Sequence, residues 1–296
     1  MKIFHKNQRV LITGSTGFIG SHLARRLVSD GWNVHIIIRK NSNLKQIKDI
    51  LSSITVHKYN GSIDDIFKTA RPVIVYHLAS LFIVEHQPKD IDQLIRSNIL
   101  LGTQLVEAMV KNGVYKMVNT GTSWQHYNNK DYNPVNLYAA TKQSFESILG
   151  FYTESSPLKI ITLKLFDTYG PGDSRPKLFN LLKKLAKGTS LLMSGGKQLI
   201  DIVYIDDVVK AYMIAAQRLL SNKVKKIENY AVSSTHPISL RNIVTVYEKV
   251  TRTALPIKWG ARSYRPREVM TPWNRGEKLP GWNPQIPLEE GIRRII

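Results

Sequence analysis

Val10-Leu11-Ile12-Thr13-Gly14-Ser15-Thr16-Gly17-Phe18-Ile19-Gly20 is an apolar run, a turn with three glycines and the start of a helical pattern. The run is short and apolar, as expected of a strand buried on both faces of a parallel sheet. A strand, a glycine turn and a helix in that order open a dinucleotide-binding βαβ unit. Gly14 suits the tight turn and Gly17 the close approach of backbone to a pyrophosphate. Gly20 suits helix-on-strand packing, and the amides at the helix start face the phosphates. Thr16, Phe18 and Ile19 complete the expected cradle. The spacing is G-x-x-G-x-x-G, one residue off the usual fingerprint, and its place between a strand and a helix gives it meaning.

Working outward, helix Gly17–Ser29 closes at Asp30-Gly31. The second strand, Val34–Ile38, ends in Arg39-Lys40. An acid near this point serves the ribose hydroxyls of NAD, whereas an arginine suits the 2′-phosphate of NADP. Arg39, with Asn41 and Ser42 beside it, makes NADP the preferred cofactor and NAD the alternative. Further strands are expected at Thr55–Tyr59, Val73–Leu78, Lys116–Thr120 and Ile160–Phe166, with helices at Ile91–Lys111 and Tyr138–Tyr152. The alternation implies an α/β fold, a doubly wound parallel sheet of Rossmann type. After Tyr169-Gly170-Pro171-Gly172 the pattern loosens. Helices at Lys177–Lys187, Asp206–Leu220 and Ser239–Thr251 are separated by short strands and proline-rich connections. Residues 1–170 are therefore read as the dinucleotide-binding domain, its sheet completed by later strands. Residues 171–296 are read as mostly a smaller α/β substrate lobe.

The chain has 296 residues, no cysteine and a net charge of +20. Without cysteine, a disulfide scaffold, a Cys-ligated zinc site and a thiol nucleophile are excluded. No His/Asp/Glu cluster has metal-site spacing. The N-terminal residues carry no signal-peptide pattern and no apolar run is membrane-length, so a cytoplasmic protein without membrane contact is expected. The positive charge is scattered, with short clusters such as Lys223-Val224-Lys225-Lys226. That reads as solvated surface rather than a nucleic-acid site, although it would draw in an anionic substrate.

Tyr138-Ala139-Ala140-Thr141-Lys142 places a phenol and an ammonium on one helical face. A free phenol has a pKa near ~10, too high for a base at neutral pH, and a nearby ammonium lowers it. Tyr138 would then exchange a proton with an alcohol or ketone as hydride moves, while Lys142 holds the nicotinamide ribose. The strand Lys116–Thr120 runs into Gly121-Thr122-Ser123, whose hydroxyls are placed to polarise the substrate oxygen.

Taken together, these stretches resemble the extended short-chain dehydrogenase/reductase superfamily, and within it the NAD(P)-dependent sugar epimerase/dehydratase family. The resemblance runs through Gly14–Gly20, His77-Leu78-Ala79-Ser80, Asn98, Tyr138–Lys142, Tyr169-Gly170-Pro171-Gly172 and Val203–Val208. It implies a catalytic set of Thr122, with Ser123, Tyr138 and Lys142. It implies a nucleotide-activated sugar as substrate. It extends the cofactor site to Ser62, Leu78, Ala79, Ser80 and Asn98, the last mainly structural. Asp206-Asp207 reads as a helix N-cap.

Dehydratases of this family carry an Asp-Glu pair after the catalytic threonine, where this chain has Ser123 and Trp124. Epimerases that invert carbons beside a ketone often use a cysteine, which is absent. The resemblance therefore narrows to an NADPH-dependent reductase of a 4-keto (deoxy) nucleotide sugar serving surface polysaccharide. An NAD-dependent C4 epimerase is the alternative, and a non-catalytic NADP sensor or RNA-binding protein is a reading of another class. Three positions depart from the pattern. Asp167 replaces an asparagine that contacts the substrate pyrophosphate, and an acid there is expected to repel it. Ile200 replaces an arginine, and Ser62 stands in for an acid, with Asp64 displaced. Arg265 and Glu268 resemble a segment that clamps pyrophosphate and ribose, with Arg175 and Lys177 as further substrate contacts. Trp124, His126 and Tyr127 are candidates for the pocket wall. In many members of the family the helices corresponding to Ile91–Lys111 and Tyr138–Tyr152 form a dimer face, so the resemblance implies a homodimer.

Overall fold

The structure is a computed structural model, and it describes residues 8–185 and 190–296. In chain order the elements of the main body are β1 (Arg9–Thr13), α1 (Phe18–Ser29), β2 (Asn33–Ile38), β3 (Ile54–Lys58), α2 (Asp64–Ala70) and β4 (Ile74–His77). They continue with α3 (Ile91–Ile95), α4 (Leu101–Lys111), β5 (Lys116–Thr122), α5 (Leu137–Ser155) and β6 (Lys159–Leu165). The remainder holds β7 (Asp167–Tyr169), α6 (Leu178–Leu185), β8 (Leu191–Met193), β9 (Leu199–Ile200), β10 (Ile202–Tyr204) and α7 (Ile205–Leu220). Last come β11 (Ile227–Val232), β12 (Ile238–Ser239), α8 (Leu240–Thr251), β13 (Ile257–Trp259) and α9 (Leu288–Arg293). The expected helix Lys177–Lys187 is seen as far as Leu185, and its last residues lie outside the described ones.

Seven strands form one sheet in the order β11-β6-β5-β4-β1-β2-β3. Every neighbouring pair in it is parallel. The direction of strand order reverses between β1 and β4, and that switch point is where the carboxyl ends of the strands open a crevice. Alternate residues of β1 enter different cores. Val10 and Ile12 pack with α1 and α7 on one face. Leu11 packs with α2, α4 and α5 on the other. Burial on both faces explains the unbroken apolar runs.

Helix α1 buries Phe18, Leu23, Ala24 and Leu27 and ends at Asp30. Gly31, at φ +82°, turns the chain into β2. The expected continuous helix from Ile91 to Lys111 contains a π turn at Arg96–Leu100. The extra residue in that turn places Asn98 inside, at 1% exposure. Strand β5 runs two residues beyond the expected Thr120, so that Thr122 pairs with Leu165 on the sheet itself.

The paired acids at the head of α7 do not cap it. The N-cap is Tyr204, and Asp206 and Asp207 lie in the first turn. Asp207 is buried, and its Oδ2 accepts the backbone N–H groups of Gln285 and Ile286, both at 2.9 Å. The carboxylate therefore holds the returning C-terminal segment rather than its own helix. Among the described residues no helix is long and apolar enough to cross a membrane.

Candidate active site

The glycine turn brings backbone to backbone. Gly14 has φ +76°, and a Cβ on it would stand 2.6 Å from the Ala79 nitrogen and the Leu78 carbonyl carbon. A Cβ on Gly20 would collide with the Gly14 carbonyl. Gly17 is the N-cap of α1 and is exposed, leaving the first-turn amides open. With glycine at these positions and the first-turn amides uncovered, the residues fit the pyrophosphate of a dinucleotide. Thr13 joins the turn to β4. Its hydroxyl accepts from Ala79 N–H at 3.2 Å and is hydrogen-bonded to His77 Nδ1 at 2.8 Å. Burial holds the His77 ring neutral, with its pKa lowered to about 3.

At the end of β2, Arg39 N–H donates to Ser42 Oγ at 3.0 Å and Ser42 N–H donates to the Arg39 carbonyl at 3.1 Å. The turn closes on itself and leaves the Arg39 side chain exposed beside the cradle. After β3, Ser62 N–H donates to Asn60 Oδ1. Asp64 pairs with Lys68 and Lys111 at 2.9 and 3.1 Å. Asn98 is corrected as a cofactor ligand. Its Oδ1 accepts from Ser80 Oγ and Leu81 N–H, and its Nδ2 donates to the Leu81 carbonyl and Thr141 Oγ1. With every bond of the amide used, Asn98 shapes the Ser80–Leu81 loop and leaves nothing for a ligand.

Ile19, Leu78, Ser80, Thr122, Ser123, Trp124 and Tyr138 line a cavity of about 810 Å³ at the carboxyl edge of the sheet. Asn136 sets the position of Tyr138. Its Oδ1 caps α5 by accepting from Ala139 N–H at 3.0 Å, and its Nδ2 donates to the Val84 carbonyl at 2.8 Å. Thr122 Oγ1 accepts from Trp124 N–H at 3.3 Å, which turns the chain around the cavity. The ring of Phe82, which sequence reasoning passed over, meets Tyr138 edge-on at 4.9 Å.

The phenol does not follow the expected direction. Burial pushes Tyr138 up to about 12, while the Ser80 hydroxyl and the Arg175 charge pull it partly back. Lys142 is 1% exposed and lies behind the cavity wall. Burial lowers its pKa to about 8, Glu146 acts against that, and Lys164 adds to it. Desolvation of both groups outweighs the ammonium–phenol attraction expected from their spacing alone.

A second cavity, of about 620 Å³, adjoins the first and is lined by Trp124, His126, Phe166, Asp201, Arg265 and Trp273 among others. His126 and Trp273 stack at 3.9 Å, so the two loops meet as one aromatic wall. Arg267 bonds the Val135 carbonyl at 3.1 Å and sits over the Tyr127 ring at 4.4 Å, latching the same loops. Every charged substrate candidate is paired within the protein. Asp167 holds Lys177 at 2.8 Å, Asp173 holds Arg175 at 2.7 Å, and Glu268 holds Arg265 at 2.9 Å. The expected repulsion by Asp167 is thus offset by Lys177, and Arg175 is further tied to the Thr168 carbonyl at 2.7 Å.

Residues 10–231 match the model of the NAD dependent epimerase/dehydratase family. The chain is similar to a CDP-abequose synthase of Salmonella muenchen, 25% identical over 98% of this chain and 97% of that protein. Among solved structures it is similar to MoeE5 in complex with UDP-glucuronic acid and NAD, at 25% identity, 97% of both chains and a TM-score of 0.79. It is also similar to a UDP-glucuronic acid 4-epimerase from Bacillus cereus in complex with UDP-glucuronic acid and NAD, at 25% identity, 96% of both chains and a TM-score of 0.83. This chain belongs to the NAD dependent epimerase/dehydratase family, an enzyme of oxidoreductase type that works with a nicotinamide dinucleotide.

Proposed function

We propose that this enzyme is an NADPH-dependent reductase of a 4-keto nucleotide sugar in deoxysugar formation. The observation that carries the reading is the place of Tyr138, whose phenol lines the cavity beside Ser80 and Thr122. Burial pushes its pKa up, so the phenol is protonated at neutral pH and a proton is present at the cavity. A bound nicotinamide supplies the hydride. As the carbonyl carbon accepts that hydride, Tyr138 Oη passes its proton to the carbonyl oxygen, and the product is an alcohol. Ser80 and Thr122 place hydroxyls on the same cavity to orient the oxygen. Ser123 and Trp124 stand where water elimination would need an acid and a base. The carboxylates lining the cavity, Asp167 and Asp173, are held by Lys177 and Arg175.

Arg39 supports NADPH over NADH, because an exposed guanidinium at the end of β2 suits a 2′-phosphate. The aromatic wall and the cations Arg265 and Lys177 suit a nucleoside diphosphate, and the similarity to a CDP-abequose synthase supports a nucleotide deoxysugar. The NAD-bound epimerases among the similar structures favour a second reading, an NAD-dependent C4 epimerase. Titrating the apo-protein with NADP and NAD, then following NADPH oxidation on a panel of 4-keto-6-deoxy nucleotide sugars, separates them. The reductase prefers NADP and turns over. Tight NAD retention without net NADPH consumption replaces it with the epimerase.

The assembly belongs to the same reading. Ile91 and Ile95 on α3 are 44% and 40% exposed, and Phe151 on α5 is 65% exposed. These apolar side chains suit a homodimer built on the two helices. Light scattering at twice the chain mass is the expected result, and a monomer at micromolar concentration removes the proposal.

A further inference from the structure

The amino edge of the sheet, opposite the cavities, gathers cations that look scattered in the sequence. Strands β11, β6, β5, β4 and β1 are neighbours in that order. Arg9, Lys116 and Lys159 are the first residues of β1, β5 and β6. Arg71 lies just ahead of β4, and Lys223, Lys225 and Lys226 lie on the connection from α7 to β11. The register sets them side by side. Lys116 is the direct partner of Lys159. Ile160 N–H donates to the Lys226 carbonyl at 2.8 Å, and Val73 N–H donates to the Arg9 carbonyl at 2.9 Å. With strands about 4.8 Å apart, the row runs about 19 Å across five strands.

The row is not balanced from within. The nearby acids Asp30, Glu154 and Glu228 are held by Arg26, Lys226 and Arg218. Among the described residues no acid pairs with Arg9, Arg71, Lys116, Lys159, Lys223 or Lys225. Cations in the last turn of a helix complement its dipole, as Arg26, Lys111 and Arg218 do for α1, α4 and α7. That does not account for Arg9, Lys116 and Lys159, which are on strands. Two lysines directly opposite each other repel, so the fold carries a cost here that an outside anion would relieve.

The edge also exposes apolar side chains among the cations. Val73, beside Arg9, is 36% exposed, and Ile227, next to Lys226, is 37% exposed. Neither cavity reaches this edge. An open row of unpaired cations with valine and isoleucine between them suits lipid headgroups above acyl chains. A nucleic-acid backbone would satisfy the cations but offer nothing to the apolar side chains. We propose that the amino edge of the sheet docks on an anionic phospholipid bilayer, without spanning it. The inference goes beyond the reading of the reacting site and does not depend on it. Docked this way, the cavities at the carboxyl edge open away from the bilayer.

Sedimentation of the full-length protein with vesicles tests this. Vesicles of phosphatidylcholine alone are compared with vesicles of phosphatidylcholine mixed with phosphatidylglycerol. Binding is expected only to the anionic vesicles, and is expected to weaken as salt is raised. The edge variant combines Lys116→Gln, Lys159→Gln, Lys223→Gln and Lys225→Gln. A control with the same net charge combines Lys89→Gln, Lys210→Gln, Lys249→Gln and Lys258→Gln, four exposed lysines away from the edge. Thermal melting checks that both are folded. Each cation near an anionic leaflet is worth about fivefold in binding, so the edge variant is expected to bind at least about 100-fold more weakly. The control is expected to stay close to wild type. Equal losses in the two variants would mean that net charge alone is responsible, and would overturn the proposal. So would a wild type that ignores anionic vesicles, or one that binds duplex DNA through this edge and leaves the vesicles in solution.

Discussion

On the proposed reading, the cofactor cradle and the substrate pocket solve the same problem, binding a diphosphate, in opposite ways. The cradle at Gly14, Gly17 and Gly20 does it with backbone, and side chains are excluded at Gly14 and Gly20 by contacts under 3 Å. The substrate side does it with charged side chains, and each of them is already committed to a partner in the protein. A backbone site is preformed and rigid. A site of paired charges must exchange internal partners for ligand, so its affinity reflects a difference between two sets of contacts.

Altering one side at a time sharpens that contrast, and the larger effect belongs to the cradle. Gly20→Ala forces a methyl group against the Gly14 carbonyl. Overpacking of this kind costs roughly 1–3 kcal/mol, and displacing the start of α1 is expected to weaken dinucleotide binding by up to about 100-fold. Calorimetric titration checks this, and wild-type affinity in the variant would mean that the turn is not the binding element. The pocket should respond less and in the other direction. Asp167→Asn removes the partner of Lys177, which stays in place over the Phe82 ring at 5.0 Å. The freed ammonium is expected to improve binding of a nucleoside diphosphate about 3- to 10-fold, the scale of one partly exposed charge pair. Weaker binding in Asp167→Asn would show that the carboxylate itself contacts ligand and that the pocket charges are not held in reserve.

The same contrast explains what could be read from the sequence. The expected strands of the body emerge within two residues, because two-sided burial writes itself into apolar runs such as Val10-Leu11-Ile12, whereas α5 runs three residues past the expected Tyr152 and α2 was not anticipated. The glycine turn is legible because nothing but glycine fits it. The π turn at Arg96–Leu100 was not, since one extra residue in a helix leaves the apolar pattern nearly intact. Asp207 was assigned to its nearest helix, although its partners, Gln285 and Ile286, are far along the chain. The pairing of Asp167 with Lys177 and of Glu268 with Arg265 depends on side-chain geometry that spacing does not determine. The elevated pKa of Tyr138 follows from desolvation, a property of the folded surroundings rather than of the motif.

The central claim is that Tyr138 delivers the proton in a nicotinamide-dependent ketone reduction. NADPH oxidation with a 4-keto-6-deoxy nucleotide sugar, measured for the wild type and Tyr138→Phe alongside cofactor titration, tests it most directly. The account predicts a loss of about 10²- to 10⁴-fold in turnover, the scale of a general acid, with dinucleotide affinity retained. Full turnover in Tyr138→Phe would contradict it.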